Sequence, residues 1–270
     1  MARIGRINIL TVKRTRDYGA QLDGGESGDI LLPIKSVPGN CQPGDEVEVF
    51  VYLDREKRLR ATTRIPKVTV GQFAYLQVVA NSSAGAYLDW GMPKDLLVPK
   101  GEQQTRMEEG RSYVVYVFLD EQTNSVAASS RLDDFLDLEP PNYNEGEGVD
   151  LLICDKTDLG YKAVVNNSHW GVLYKNEVFQ ELHIGRQLKG YIKKVREDLK
   201  IDLSLQQPGY QGSGDISQAI LEKIKEHGGR IGVTDKSLPA EIYALFGVSK
   251  KVFKKAIGGL YKRRLISIDS

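Results

Sequence analysis

Thiols, imidazoles and indoles are scarce in this chain, with two cysteines, three histidines and two tryptophans among 270 residues. Cys41 and Cys154 are too few for a disulfide framework and match no zinc-ligand spacing. His169, His183 and His227 lie far apart, and His169 beside Trp170 reads as packing or turn. No apolar run approaches the roughly 18 residues that span a bilayer. The opening Met-Ala-Arg-Ile-Gly-Arg lacks the apolar core of a secretory signal, so a cytoplasmic, membrane-free protein is expected. An excess of one charge is missing too: 37 Lys+Arg face 36 Asp+Glu, and net charge identifies no partner. The phosphate-loop lysine motif, the dinucleotide-binding glycine fingerprint and the nucleophile elbow are all lacking. Gly24 to Gly28 reads as a hairpin tip without the lysine that a phosphate cradle needs. The expectation is a non-enzyme with no catalytic residue, cofactor or metal.

What the chain does have is repetition. Gly19-Ala20-Gln21-Leu22 returns 66 residues later as Gly85-Ala86-Tyr87-Leu88, and 75 residues after that as Gly160-Tyr161-Lys162-Ala163. The same offsets relate Leu10, Leu76 and Leu151, then Val12, Val78 and Ile153, then Pro33, Pro99 and Tyr174. Gly44, Gly110 and Gly185 obey them again, each ahead of an alternating segment. The register slips once, because the closing strand of the first copy starts at Leu59, one residue earlier than Val126 and Ile201 imply. Each copy is a string of short segments alternating with period two, as half-buried antiparallel strands do. In the third copy they fall at 148–154, 161–166, 171–174, 187–194 and 200–205. Five short strands that hide their edges predict three tandem all-β barrels of the oligonucleotide/oligosaccharide-binding kind, at 1–65, 66–131 and 148–208.

Residues 132–147 hold six acids and no base, which reads as a solvated spacer stiffened by Pro140-Pro141. Beyond Gln206-Gln207-Pro208-Gly209 and a Gly/Ser-rich stretch from Gln211 to Gly214, the period changes to 3.6. Ile216, Ile220 and Ile224 line one helix, which Gly228-Gly229 ends. Pro239 opens a second helix, and Ser249 caps a third carrying Val252, Phe253, Ala256, Ile257 and Leu260 on one side. Ile231 to Val233 and Leu265 to Ile268 are expected strands, which completes a winged-helix order over 213–270, in all an α+β domain. This part carries 11 bases and 6 acids, net +5, whereas residues 1–212 carry 26 and 30, net −4. Lys250, Lys251, Lys254 and Lys255, then Lys262, Arg263 and Arg264, form a cationic face suited to phosphate.

The third copy, from Gly160-Tyr161-Lys162-Ala163-Val164 through Gly171 and Gly185 to Lys200-Ile201-Asp202-Leu203-Ser204-Leu205, resembles the RNA-binding repeat of the largest small-subunit ribosomal protein, the S-one repeat. In the first two copies Arg58-Leu59-Arg60-Ala61-Thr62 and Ser125-Val126-Ala127-Ala128-Ser129 keep only the outline of its final run. The whole chain resembles the bacterial conserved virulence factor B family, most closely from Thr234-Asp235-Lys236-Ser237-Leu238-Pro239 to Leu260-Tyr261-Lys262. That resemblance implies S-one-type barrels, a C-terminal winged helix, RNA binding and an influence on gene expression. The chain stops at Ser270, where a winged helix usually continues, so a shortened wing is expected.

S-one repeats stack bases on aromatics at three places around the glycine. Those places hold Tyr18 in the first copy, Tyr87 in the second and Lys162 and Tyr174 in the third, and no copy has the full set. Arg58, with Arg55, Lys57 and Arg60 around it, and Lys193, Lys194, Arg196 and Lys200 are candidate phosphate contacts. The expected partner is single-stranded RNA, bound by barrels and cationic helix together to regulate gene expression after transcription. Two alternatives stand beside it: a DNA-binding transcriptional regulator that uses the winged helix, and a protein-interaction adaptor on ribosome or nuclease complexes. Oligomeric state is not legible from the sequence.

Overall fold

The computed structural model describes residues 1–54, 56–178, 180–206 and 213–268. The chain divides into two compact units, Met1–Leu138 and Glu139–Ser270. The first unit holds two barrels. One is built from β1 (Ile7–Arg16), β2 (Gly19–Asp23), β3 (Asp29–Pro33), β4 (Glu46–Leu53) and β5 (Leu59–Thr62). The other comprises β6 (Phe73–Asn81), β7 (Gly85–Leu88), β8 (Leu96–Pro99), β9 (Ser112–Asp120) and β10 (Ser125–Ser129). The second unit holds the third barrel, with β11 (Gly148–Lys156), β12 (Gly160–Val165), β13 (His169–Tyr174), β14 (Gln187–Val195) and β15 (Ile201–Ser204), and three helices. Each barrel closes in the same order: the first strand lies between the second and fourth, and the third pairs in parallel with the fifth. Closure leaves no strand edge exposed, which is how so short a sheet protects its backbone.

The glycine at the head of each repeat has a steric reason. Gly19, Gly85 and Gly160 adopt φ of 149°, 156° and 151°, and each opens the second strand of its barrel. A Cβ added there would stand 2.2 Å from the Leu32 carbonyl oxygen, 2.0 Å from that of Val98 and 2.0 Å from that of Leu173. The third strand therefore crosses so close that only a glycine fits. A second device recurs just upstream. The first strand bulges after Val12, Val78 and Ile153, placing Lys13, Val79 and Cys154 out of register. The freed carbonyls of Val12, Val78 and Ile153 accept the N–H groups of Gly44, Gly110 and Gly185 at 2.8, 2.9 and 2.8 Å. These bulges bend the strand so that it can serve both neighbours of a small barrel.

Alternation fills the interiors. In β1, Leu10 and Val12 are buried between exposed Ile9, Thr11 and Lys13. They meet Ala20, Leu22, Ile30, Leu32, Val49, Val51 and Ala61 in the first core. Phe50 points the other way and joins the core of the second barrel, edge-on to Trp90 at a centroid distance of 5.6 Å. Barrels one and two thus share an apolar seam. Residues 132–147 are not a solvated spacer throughout. Phe135 stacks on Tyr116 at 4.3 Å and near Phe118 at 5.8 Å, and Leu136 is buried. Within the second unit, the Glu139 carbonyl accepts from His169 Nε2 at 2.9 Å, and Tyr143 Oη lies 2.9 Å from Nδ1 of the same ring. An Nε2–H donated to a carbonyl leaves Nδ1 to accept the phenol proton, so buried His169 is a packing residue.

The terminal helices are α1 (Ser213–Glu226), α2 (Pro239–Phe246) and α3 (Lys250–Lys262). Gly229 N–H returns to the Ile224 carbonyl to close α1, Gly247 in the left-handed region ends α2, and Ser249 Oγ accepts the Val252 N–H at the head of α3. Fully buried Phe253, with Ile220, Ile242 and Leu260, forms the centre of the domain. The two expected strands are absent among the described residues. Ile231 to Val233 and Leu265 to Ile268 instead line one cleft with Ile220, Phe253 and Ile257. Both segments are short, Gly232 offers no side chain, and an isolated two-stranded ribbon is marginal in water. The linker residues 207–212 lie outside the described residues.

Candidate nucleic-acid interface

The third barrel carries six of the nine residues expected on the barrels. Strand register sets Gly160 opposite Tyr174, Lys162 opposite Val172 and Val164 opposite Trp170, so these alternate residues share a face. Lys162 Nζ stands 3.7 Å above the Trp170 ring. Next to it, Arg196 donates to the Tyr174 hydroxyl, which donates to Asp202 at 3.3 Å. Arg196 also grips Asp202 through Nε at 3.0 Å and Nη2 at 2.9 Å. That hydrogen bond and its charge raise the Arg196 pKa further, so the guanidinium is cationic at any working pH. Lys194 pairs in register with Asp202, is exposed, and makes no ion pair with a described residue. Lys193 and Lys200 turn to carboxylates instead: Lys193 pairs with Glu177, and Lys200 with Asp198 at 3.0 Å. Lys200 holds the Asp198 carboxyl below its ordinary range.

Trp170 was not among the expected contacts. The third strand begins at His169, two residues ahead of its expected start, and this brings the indole onto the pleat. The alternation of residues 170, 172 and 174 was the signal available in the sequence.

The other two barrels use the same places differently. In the first, Gln21 occupies the position of Lys162 and accepts from Arg14. Asp29 occupies that of Trp170 and pairs with Lys13 at 2.8 Å and Arg14 at 3.4 Å. Lys13 draws the Asp29 carboxyl down and is itself raised. Tyr18 projects from the β1–β2 turn, 57% exposed. Arg58 is engaged by Asp54 at 3.1 Å and by Glu56, while Arg60 meets Asp54 at 2.9 Å. The Arg58 backbone N–H, then the Arg60 and Arg58 side chains, hold the Asp54 carboxyl well below the usual range. Arg55 lies outside the described residues. Asp54 and Arg60 occupy the places of Arg196 and Asp202, each beside the closing hairpin, so the ion pair is kept with its polarity reversed. In the second barrel, Tyr87 lies half-buried opposite Leu97.

On α3 the cationic face is partly engaged. Lys250 Nζ donates to the Ser237 carbonyl at 2.8 Å, and Lys254 lies 3.5 Å from Asp235. Lys251 and Lys255, one turn apart, and Lys262, Arg263 and Arg264 are exposed. Among the described residues no group of three or more His, Cys, Asp or Glu is placed to hold a metal ion. No helix among them is long and apolar enough to cross a membrane. Burial pushes the Cys154 thiol up to about 12.

Comparison with known proteins bears on both parts. The S1 domain family model matches residues 4–64 and 70–129, the two copies whose closing runs keep only the outline of the motif. The model for a CvfB-like winged helix domain matches residues 218–270. The uncharacterized Bacillus subtilis protein YitL is 27% identical over 273 residues, which covers 96% of this chain and 89% of that protein. Conserved virulence factor B of Staphylococcus epidermidis is 25% identical over 277 residues, 99% of this chain and 93% of that one. A crystal structure of a multidomain protein with nucleic acid binding domains from Streptococcus pneumoniae is 22% identical, with a TM-score of 0.43 over 98% of this chain and 96% of that chain.

Proposed function

This chain belongs to the conserved virulence factor B family, S1 domains followed by a CvfB-like winged helix, and on that premise we propose that it binds single-stranded RNA and regulates gene expression after transcription, catalysing no reaction itself. The observation that carries the reading is the face on which Trp170 lies under Lys162, beside Tyr174 and Arg196. A flat ring holds an unpaired base whatever its identity, each stack being worth about 1–3 kcal/mol. As a base takes its place on the indole, Lys162 moves from ring to backbone phosphate. Tyr18 and Tyr87 add single rings on the other barrels. Lys251, Lys255, Lys262, Arg263 and Arg264 supply the salt-sensitive part through counterion release. Arg58, Lys193, Lys200, Lys250 and Lys254 join only where phosphate displaces their present partners. Linking several weak sites raises affinity through effective concentration and leaves sequence preference broad. The cytoplasm, which keeps both thiols reduced, is the compartment this reading requires.

The winged-helix match favours a second reading, recognition of duplex DNA. Against it, the exposed face of α3 offers lysines rather than the Asn, Gln or Arg that read base edges. Electrophoretic titration of the full chain with single-stranded RNA, single-stranded DNA and duplex DNA at two salt concentrations separates the readings. Tightest binding to single-stranded RNA is expected. Tightest binding to duplex DNA overturns the proposal, and no binding at low salt replaces it with an adaptor role.

A further inference from the structure

Within the first unit, a cavity of about 280 Å³ opens beside the seam of barrels one and two, lined by Tyr52 to Asp54 at the end of β4 and, from the second barrel, by Trp90, Met92 to Asp95 and Ser125-Val126. Its volume falls near the lower bound of small-molecule sites, about 300 Å³, so it suits one ring system and not a whole nucleotide. Its walls are flat and fixed. Tyr52 lies parallel to Phe50 at 14°, Phe50 is locked edge-on against Trp90, and the Trp90 indole N–H is anchored to the Lys94 carbonyl at 2.7 Å. Buried Met92 adds a polarisable thioether to the lining.

The polar groups sort the ligand. The Asp54 carboxylate is already saturated by the N–H groups of Glu56 and Arg58 and the guanidinium groups of Arg58 and Arg60. Asp95 is different: it is exposed, and it makes no ion pair with a described residue. Two carboxylates repel a phosphate, and an exposed one accepts hydrogen bonds from an amino group. Lys94 stands exposed on the same lining.

We propose that this cleft takes one unpaired nucleobase carrying an exocyclic amino group, stacked among Tyr52, Trp90 and Met92 and read by Asp95. The inference rests on the RNA-binding reading for its biological ligand, but it uses none of the residues of the Trp170 face or of α3. It makes the first two barrels a reader of single bases.

The test follows the Trp90 indole N–H resonance of the full chain during titration with cytidine and with uridine. Nucleosides carry no phosphate, so α3 and the backbone contacts contribute nothing. Cytidine is expected to move the Trp90 signal and leave Trp170 less affected, with uridine, which lacks the amino group, binding about tenfold more weakly. Asp95→Asn removes that discrimination and, as a surface change, spares the fold. Ser125→Phe fills the cleft and abolishes the shift. If the chain binds single-stranded RNA but neither nucleoside moves Trp90, the inference falls and the proposed function stands. If cytidine moves Trp90 and the chain binds no RNA, the cleft is upheld and the proposed function falls. A shift with N-acetyl-arginine amide and none with cytidine makes it a peptide site and overturns the inference.

Discussion

Replacing Gly160 with alanine puts the steric account of the barrels to its hardest trial. The new Cβ would lie 2.0 Å from the Leu173 carbonyl oxygen and 2.8 Å from the Lys175 backbone nitrogen, at a φ of 151°. An alanine held in a glycine-only conformation costs on the order of 1–3 kcal/mol. Both clashing atoms are backbone, so relief requires β13 to retreat and open its pairing with Gly160. The loss of one or two ladder hydrogen bonds adds about 1 kcal/mol each. The total, roughly 2–5 kcal/mol, approaches at its upper end the whole stability of a domain this small. Gly146→Ala is the matched control at the head of the same barrel, where its N–H bonds the Ile192 carbonyl. Gly146 has a φ of 85° but nothing within 4 Å of its would-be Cβ, so only about 1 kcal/mol of backbone strain applies. Urea unfolding is followed by Trp170 emission in a Trp90→Phe background, because a chain of several folded units has no single two-state transition. With a slope near 1 kcal/mol/M for a small domain, Gly146→Ala lowers the midpoint by about 1 M, and Gly160→Ala leaves little or no folded baseline. Equal midpoints for the two variants, or a lower one for Gly146→Ala, refute the close-approach argument.

Trp170→Ala should weaken single-stranded RNA binding by about 1–3 kcal/mol while the dependence of affinity on salt stays unchanged, as measured by fluorescence anisotropy at several salt concentrations. The double change Lys251→Ala and Lys255→Ala should do the reverse, reducing the slope of log affinity against log salt by about 1.4 if each contacts one phosphate of a single strand; an unchanged slope clears both of a direct role. Arg196→Asp alone should lower the thermal midpoint of the third barrel, and adding Asp202→Arg should restore it, since the first barrel already holds the pair in that polarity. In a Cys41→Ser background, Cys154, with its thiol pushed to about 12, stays protonated below that pH and should exchange with an aromatic disulfide reagent, releasing the aromatic thiolate, far more slowly at pH 8 than an unfolded control; rapid release would contradict its burial.

The backbone of this fold was legible because its constraints fall on glycines at fixed offsets. Gly19, Gly85 and Gly160, and again Gly44, Gly110 and Gly185, mark positions where a local conformation or a close approach excludes other residues. The caps at Pro239 and Ser249 were equally plain, since each acts within one helical turn. The interface was less so. That Lys162 covers Trp170 depends on cross-strand register and on where β13 starts, which spacing along the chain does not fix. The pairing of Arg58 with Asp54 and of Lys193 with Glu177 turned expected phosphate contacts toward neighbouring acids, and Phe135 found an aromatic shelf that the run of acids around it concealed. The wing strands were read from apolar composition alone, and Ile231 and Ile266 use that apolarity to cover a helical core.

The recurring bulge and its glycine partner divide labour within each repeat. Main-chain bonds at Val12, Val78 and Ile153 hold the bend of each first strand without calling on an outward side chain. Pro33, Pro99 and Tyr174 can therefore sit at one geometric address without altering the frame. Once such a module is copied, each copy can be retooled independently, one toward ion pairs, one toward a seam and one toward rings, and none needs to relearn how to fold.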